Sequence, residues 1–249
     1  MKQILGKLRK AATDFNMIQD GDKIAVGVSG GKDSNLLLKA LKMYQRFANE
    51  KFELVAITID MGFENYDPTP LIQYCKELDV PHKIVKTQIG EILFEVRKEK
   101  NPCSLCANMR RGILHDTAKE LGCNKVALGH HLNDAIETFL LSMFYEGRLN
   151  TFSPVTYLSR KDIYLIRPFV YVYEKEIIGA CNKFNIPIVK NPCPANGETK
   201  RQYVKELIKK IEHDIPFVKD NILGAITNIE QLNIWDKDRI SKICSLKNE

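Results

Sequence analysis

Apolar residues along this chain follow two spacings in alternation. Short unbroken runs, such as Ile24 to Val28 and Glu53 to Ile59 (ELVAITI), read as strands buried on both faces. Between them, apolar residues recur at every third or fourth position, the period of an amphipathic helix. Leu36, Leu37, Leu38 and Leu41 follow the first run at once and predict a helix from about Asp33 to Phe47. Pro68 to Leu78 reads as a helix with proline near its start, and His82 to Lys86 as a short third strand. Ile89 to Lys100 reads as a connector, and Ser104 to Leu121 as a helix with Leu105, Met109, Ile113 and Ala118 on one face. Lys125 to Leu128 is a fourth strand, and the helix after it, through Phe144, carries Ile136, Phe139, Leu140 and Met143. Gly147 to Ser159 reads as a loop, Ile163 to Ile166 as a fifth strand and Glu174 to Phe184 as a helix. Strands alternating with helices predict βαβ units with right-handed crossovers. The expected fold is α/β: a parallel five-stranded, Rossmann-like sheet flanked by helices, with ligands at the edge where the strands end.

The ends differ from this middle. Residues 1–20 read as an N-terminal helix, 21–194 as the α/β domain, and 195–249 as a helical extension with helices at Lys200 to Glu212 and Phe217 to Ile229. The 249 residues, 44% hydrophobic, suffice for a sizeable core. No run approaches the ~18–20 apolar residues of a membrane span. The amphipathic start, MKQILGKLRKAATDF, has neither the apolar centre nor the cleavage site of a secretion signal, so a cytoplasmic protein without a membrane partner is expected. The net charge of +6 is compatible with a polyanionic partner. Basic residues cluster at Arg97, Lys98, Lys100, Arg110 and Arg111, and again at Lys200, Arg201, Lys205, Lys209 and Lys210. Seven cysteines, an odd number, argue against a disulfide framework.

The strand-to-helix turn after Val28 reads Ser29-Gly30-Gly31-Lys32-Asp33-Ser34. Backbone N–H groups at such a turn, together with the helix dipole, favour an anion. The glycines permit close approach, Lys32 adds a cation, and Ser29 and Ser34 add hydroxyls. The spacing is not that of the Walker loop, since Val26 stands five before Gly31 and Asp33 follows Lys32. Nor does it match the dinucleotide fingerprint. It resembles the PP-loop of ATP pyrophosphatases, enzymes that adenylate their substrate and release pyrophosphate.

Cys103 and Cys106 form a C-x-x-C at a predicted helix start, where thiolates are favoured. Alone, that spacing fits a redox pair, half a zinc site or part of an iron–sulfur site. Cys193 recurs in the same Asn-Pro-Cys setting. Three cysteines without an evident fourth suggest a cluster with one iron left open. Zinc would want a fourth ligand, for which His115 is a candidate. Cys75, Cys123, Cys181 and Cys244 read as ordinary buried thiols. Asp33 and Asp134 are candidate magnesium ligands at the sheet edge, and Arg167, at the end of the fifth strand, a candidate phosphate partner.

Four stretches, SGGKDS (29–34), PCSLCANMRRGIL (102–114), LGHHLNDAIETFLL (128–141) and IRPFVYVYEKEI (166–177), resemble the iron–sulfur tRNA 2-thiocytidine synthetases of the PP-loop family. NPCPANGETKRQ (191–202) is a weaker fifth. The resemblance implies a PP-loop, adenine nucleotide alpha hydrolase-like domain. That domain adenylates O2 of an anticodon-loop cytidine with ATP and Mg²⁺ and replaces the oxygen with sulfur from a cysteine desulfurase. The sulfur passes through a 4Fe–4S cluster on Cys103, Cys106 and Cys193. Expected ATP-site residues are Ser29, Gly30, Gly31, Lys32, Asp33, Ser34, Asp60, Gly129, His130 and Arg167. Lys32, Asp33 and Asp134 are expected to be catalytic, with magnesium on the two aspartates. Arg110, Arg111, Lys200, Arg201 and Lys205 would flank the cluster and meet tRNA phosphates. Family habit also implies a homodimer. Two departures stand out: Asn133 replaces the first carboxylate of the usual His-His-x-Asp-Asp, and the third cysteine lacks the usual Gly-Ser-Gln after it. Competing readings are a lysidine-synthase-type ligase, a thiolase of a tRNA uridine or a small molecule, and a zinc-stabilised nucleotide-binding module.

Overall fold

The computed structural model describes residues 1–97, 102–189, 192–193 and 200–228. Lys98, Lys100, Asn191, Pro194, the boundary near Ala195, Ile229, Cys244 and the rest of the tail lie outside the described residues. Six strands are assigned: β1 (Asp22–Gly27), β2 (Phe52–Asp60), β3 (His82–Lys86), β4 (Lys125–Ala127), β5 (Val155–Leu158) and β6 (Ile163–Ile166). The helices are α1 (Lys2–Asp14), α2 (Lys32–Tyr44), α3 (Thr69–Glu77), the single turn α4 (Ile89–Glu91), α5 (Pro102–Glu120), α6 (Leu132–Glu146), α7 (Glu174–Lys183), α8 (Lys200–Asp214) and α9 (Val218–Thr227). A π-helical turn, Ile92–Val96, continues α4, so the expected connector 89–100 is partly helical.

The strand order is β3-β2-β1-β4-β6-β5. Every neighbouring pair is parallel except β5–β6, which is antiparallel. The expected five-stranded parallel sheet is thus a six-stranded mixed one. β5 lies in the stretch expected to be a loop: its four residues are too few for a period, and its pairing of Val155 with Ile166 is a tertiary fact. An antiparallel edge strand on an otherwise parallel sheet is a common closure.

The buried strands divide their side chains between two helical layers by simple alternation. Ile24, Val26, Leu54, Ala56, Ala127 and Ile166 join a core with Leu8 of α1, Leu37 of α2, Leu71 of α3 and Ile177 of α7. Their neighbours Ala25, Val55, Ile57, Val126 and Leu165 face the opposite way, onto Leu114 and Ala118 of α5. A one-residue slip in any of these strands would exchange the two cores, so the register is strongly specified. The order reverses at β1, with β2 on one side and β4 on the other. The crevice beyond the carboxyl ends of β1 and β4 is therefore the topological switch point, where open α/β sheets bind ligands.

The chain divides into two compact units, Met1–Lys205 and Glu206–Glu249. In the second, Lys219 pairs with Glu212 at 2.6 Å, and Ile215 and Phe217 are exposed. No helix among the described residues is long and apolar enough to cross a membrane.

Candidate active site at the carboxyl edge of the sheet

The turn from Val28 into α2 is braced from within. Ser34 is buried, and its hydroxyl donates to the Gly31 carbonyl at 3.1 Å and lies 3.1 Å from the Ser29 hydroxyl. It also accepts the Ser29 N–H at 3.1 Å. Ser34 therefore braces the loop from within. Gly30 sits at φ +83°, a left-handed conformation that favours glycine, and an added Cβ would lie 3.1 Å from Val189 Cβ. Gly129, just past β4, packs onto the start of α2: a Cβ there would stand 3.0 Å from the Asp33 carbonyl carbon and the Ser34 nitrogen. The loops after β1 and β4 thus meet backbone to backbone at the switch point.

Lys32 and Asp33 open α2 at this junction. The Lys32 ammonium lies 3.1 Å from Asp33 Oδ2 and 3.2 Å from Glu174 Oε1. Burial works against its charge, but the two carboxylates outweigh burial and raise its pKa. Glu174, the first residue of α7, also meets Lys205 at 2.9 Å and 2.8 Å through its two oxygens. Burial alone would favour its neutral form, yet Lys205 and Lys32 hold its pKa down at about 2. Asp33 Oδ1 is buried and has no hydrogen-bond partner in the structure. An orphaned carboxylate oxygen beside a phosphate-type loop suits a metal ion or a ligand donor.

His131 links the two aspartates. Its Nε2 lies 3.7 Å from Asp33 Oδ1, while its Nδ1 accepts the Asp134 N–H at 3.4 Å. The Asp134 carboxylate in turn accepts the His131 N–H at 3.0 Å, completing a capping box on α6. Because Nδ1 accepts, the ring proton belongs on Nε2, aimed at Asp33. The histidine between the aspartates is therefore the buried His131. His130, expected in the ATP site, has its ring 5.1 Å from that of Phe152, and desolvation of the ring pushes its pKa down to about 4, with Asp134 working against that shift and Arg167 and Arg201 adding to it. Arg201, four-fifths of the way along the chain, reaches Asp134 Oδ1 at 3.2 Å and buried Glu137 at 3.3 Å. With Lys205 on Glu174, two of the basic residues expected on tRNA are engaged inside the site.

Other expected site residues divide. Asp60 ends β2 at the same edge, where its Oδ1 accepts the Gly62 N–H at 2.9 Å. Arg167 directly follows β6 there too, but is buried and donates to the Ser153 carbonyl at 2.6 Å and to Thr156 at 3.2 Å. None of its described contacts is with residues 29–34.

Both cysteine arms come to this edge. Cys106 Sγ lies 3.6 Å from Met61 Sδ, one residue past β2. Val189, four residues before Cys193, donates its N–H to the Gly30 carbonyl at 2.9 Å, which ties the approach to Cys193 directly onto the loop. Burial raises the Cys106 pKa, Arg110 works against it, and Cys193 and Cys103 add to it, so the three sulfurs sense one another. Among the described residues no three His, Cys, Asp or Glu side chains are grouped to hold a single ion. The groups acting electrostatically on buried His115 are Arg111, Asp116 and Lys161, with no cysteine among them. Glu174 and Glu137 escaped the sequence reading because each acts through a partner far away in the chain, Lys32 and Lys205 for the first and Arg201 for the second.

Fold, switch point and loop define a nucleotide-binding protein of the PP-loop class. A model of the PP-loop domain matches residues 2–211, and the chain belongs to that family, among the tRNA-cytidine(32) 2-sulfurtransferases. A tRNA-cytidine(32) 2-sulfurtransferase of Geobacter metallireducens is 38% identical over 98% of this chain and 96% of its own length. One from Pelobacter propionicus is 41% identical over 92% and 86%. Among solved structures, the U34-tRNA thiolase NcsA from Methanococcus maripaludis, with its 4Fe-4S cluster, superposes with a TM-score of 0.76 at 26% identity. The match covers 93% of this chain and 79% of that one.

Proposed function

We propose that this protein thiolates tRNA at the expense of ATP, converting a cytidine at position 32 to 2-thiocytidine with release of pyrophosphate and AMP. One observation carries the reading: the Gly30–Val189 hydrogen bond and the Cys106–Met61 contact bring both cysteine arms to the sheet edge that holds the phosphate-type loop. Activation and sulfur delivery then share one crevice.

A pyrimidine carbonyl is a weak electrophile with a poor leaving group. Attack of its O2 on the α-phosphorus of ATP forms the O–P bond, expels pyrophosphate and leaves C2 bearing an adenylate. Sulfur at the sulfide level (HS−), to which a thiol reductant brings persulfide sulfur, then adds to C2, and AMP leaves carrying the former O2. The loop from Ser29 to Ser34 cradles the phosphates, and Lys32 counters the charge that grows on the leaving pyrophosphate. Asp33, through its unpartnered oxygen, and Asp134 are the residues that would hold Mg²⁺, which supplies charge neutralisation at the phosphates. Cys103, Cys106 and Cys193 are the thiols that would hold a 4Fe–4S cluster, which supplies the sulfur relay. His131 fixes the spacing of the two aspartates. The sulfur donor we assign is a cysteine desulfurase, the compartment is the cytoplasm, and exposed Ile215 and Phe217 support a homodimer.

The test begins with protein purified without oxygen. About four iron and four sulfide per chain are expected, together with ATP-dependent 2-thiocytidine in tRNA digests and tRNA affinity that falls with salt. Cys193→Ala should lose the iron. One zinc without sulfide, or a full iron complement in Cys193→Ala, would sink the cluster assignment.

A further inference from the structure

Asn133 stands where the resemblance led us to expect a carboxylate near magnesium. Its side chain does something else: Asn133 Oδ1 accepts the backbone N–H of Glu174 at 3.0 Å. Asn133 is the second residue of α6 and Glu174 the first of α7, so this bond pins two helix N-termini together. The start of α7 is fixed again by Tyr173, whose N–H donates to Glu176 at 2.8 Å, and by Lys7, 2.6 Å from the same carboxylate. From that platform Glu174 reaches Lys32 at 3.2 Å. We propose that Asn133 and Glu174 are positioning residues for the phosphate-loop lysine: Asn133 anchors the first residue of α7, and Glu174 holds the Lys32 ammonium at the mouth of the loop. The inference rests on the ATP-dependent reading above.

The physical requirement at position 133 is an acceptor for a part-buried N–H of the first turn of α7, which has no partner within its own helix. Asn and Asp both supply one, so the amide costs this chain no metal ligand. Glu174 matters at a different moment. Lys32 keeps its charge with or without it, since Asp33 also pairs with the ammonium. What Glu174 adds is a fixed direction. A held cation contributes most where charge develops on the leaving pyrophosphate, and a loose one can fold onto ground-state ATP instead.

The experiment compares Glu174→Gln, Asn133→Ala and Asn133→Asp with the parent protein carrying its cluster. Pyrophosphate release is followed against ATP with tRNA present. Binding of an ATP analogue with a non-cleavable α–β bridge is measured by calorimetry, and Mn²⁺ affinity in its presence by electron paramagnetic resonance. For Glu174→Gln, kcat should fall about tenfold or more, while the analogue binds as tightly as before or more so. Asn133→Ala should shift in the same sense by less, and Asn133→Asp should match the parent, with Mn²⁺ affinity within about twofold. A Glu174→Gln kcat within about twofold of the parent overturns the proposal. So does weaker analogue binding with kcat unchanged. A Mn²⁺ dissociation constant moved more than about threefold in Asn133→Asp would place residue 133 in the metal shell and overturn it as well. If Glu174→Gln does not fold, the two Asn133 variants carry the test. Parent protein that binds the analogue yet releases no pyrophosphate with tRNA refutes the tRNA reading alone, and the Mn²⁺ comparison still decides the role of Asn133.

Discussion

The two edges of this sheet handle buried charge in opposite ways. At the amino edge, Asp22 opens β1 and Lys125 opens β4, and the pair meets at 2.7 Å with side chains 3% and 5% exposed. Nothing there is left over: Asp22 also accepts from Asn124 at 2.7 Å and from the Gln19 N–H at 2.6 Å, and Lys125 donates to the Met17 carbonyl at 3.1 Å. At the carboxyl edge, Asp33 Oδ1 and Arg167 Nε are buried without hydrogen-bond partners. Lys32 is shared between two carboxylates, and Asp134 between His131 and Arg201. A satisfied buried pair closes a structure, whereas unsatisfied atoms at a switch point mark where a ligand completes it. We read the first edge as serving stability and the second as serving ligand binding, and variants should separate them.

The largest effect is expected from Lys32→Ala. Loss of a cation facing the leaving pyrophosphate should lower pyrophosphate release about 10²–10³-fold or more, with iron content retained and little change in melting temperature. Loss of iron in this variant would show that the ATP and cluster sites are not separable. At the other edge, Lys125→Met leaves Asp22 buried and unpaired. A cost of about 3–5 kcal/mol is expected, seen as a melting temperature about 6–20 °C lower, with unchanged turnover per folded molecule. Asp22→Asn combined with Lys125→Met should recover part of that loss. If turnover per folded molecule falls along with stability, the two edges are coupled and the contrast fails.

Gly129→Ala sharpens the comparison, since its Cβ would press on backbone atoms of α2. About 1–3 kcal/mol of overpacking strain is expected, and because Asp33 and Ser34 take it, KM for ATP should rise more than stability falls. The smallest effect is on pH dependence. The Glu174 carboxyl titrates at about 2 in the folded chain against an ordinary 4.5. A depressed carboxyl pKa gives stability that is full above about 4.5 and is lost as pH falls towards 2. Urea midpoints should therefore drop between pH 5 and pH 3, and drop less in Glu174→Gln. Equal acid slopes in the two proteins would remove Glu174 from the stabilising set.

Twelve consecutive residues, Lys23 to Ser34, already spelled out a strand, a phosphate-type turn and a helix start. Each step there depends on residues within a turn or two of one another, and the alternation of Ile24, Ala25 and Val26 between two cores follows directly from the strand period. The C-x-x-C at the head of α5 was legible for the same reason. Short strand β5 was not, because Val155–Leu158 acquires its identity from pairing with β6.

Composition, periodicity and local motifs therefore determined the fold class and the phosphate-type turn, and marked Cys103, Cys106 and Cys193 as candidate ligands. The tertiary structure alone decided that His131 stands between the aspartates, what Asn133 binds, and that Arg201 and Lys205 pair with Asp134 and Glu174. It also decided that the segment leading to Cys193 crosses Gly30. These contacts join residues 31 to 159 positions apart, such as Glu174 with Lys205 and Gly30 with Val189. Their direction is set by crossover handedness and strand order, which act on whole elements and leave no mark in the spacing of neighbouring residues.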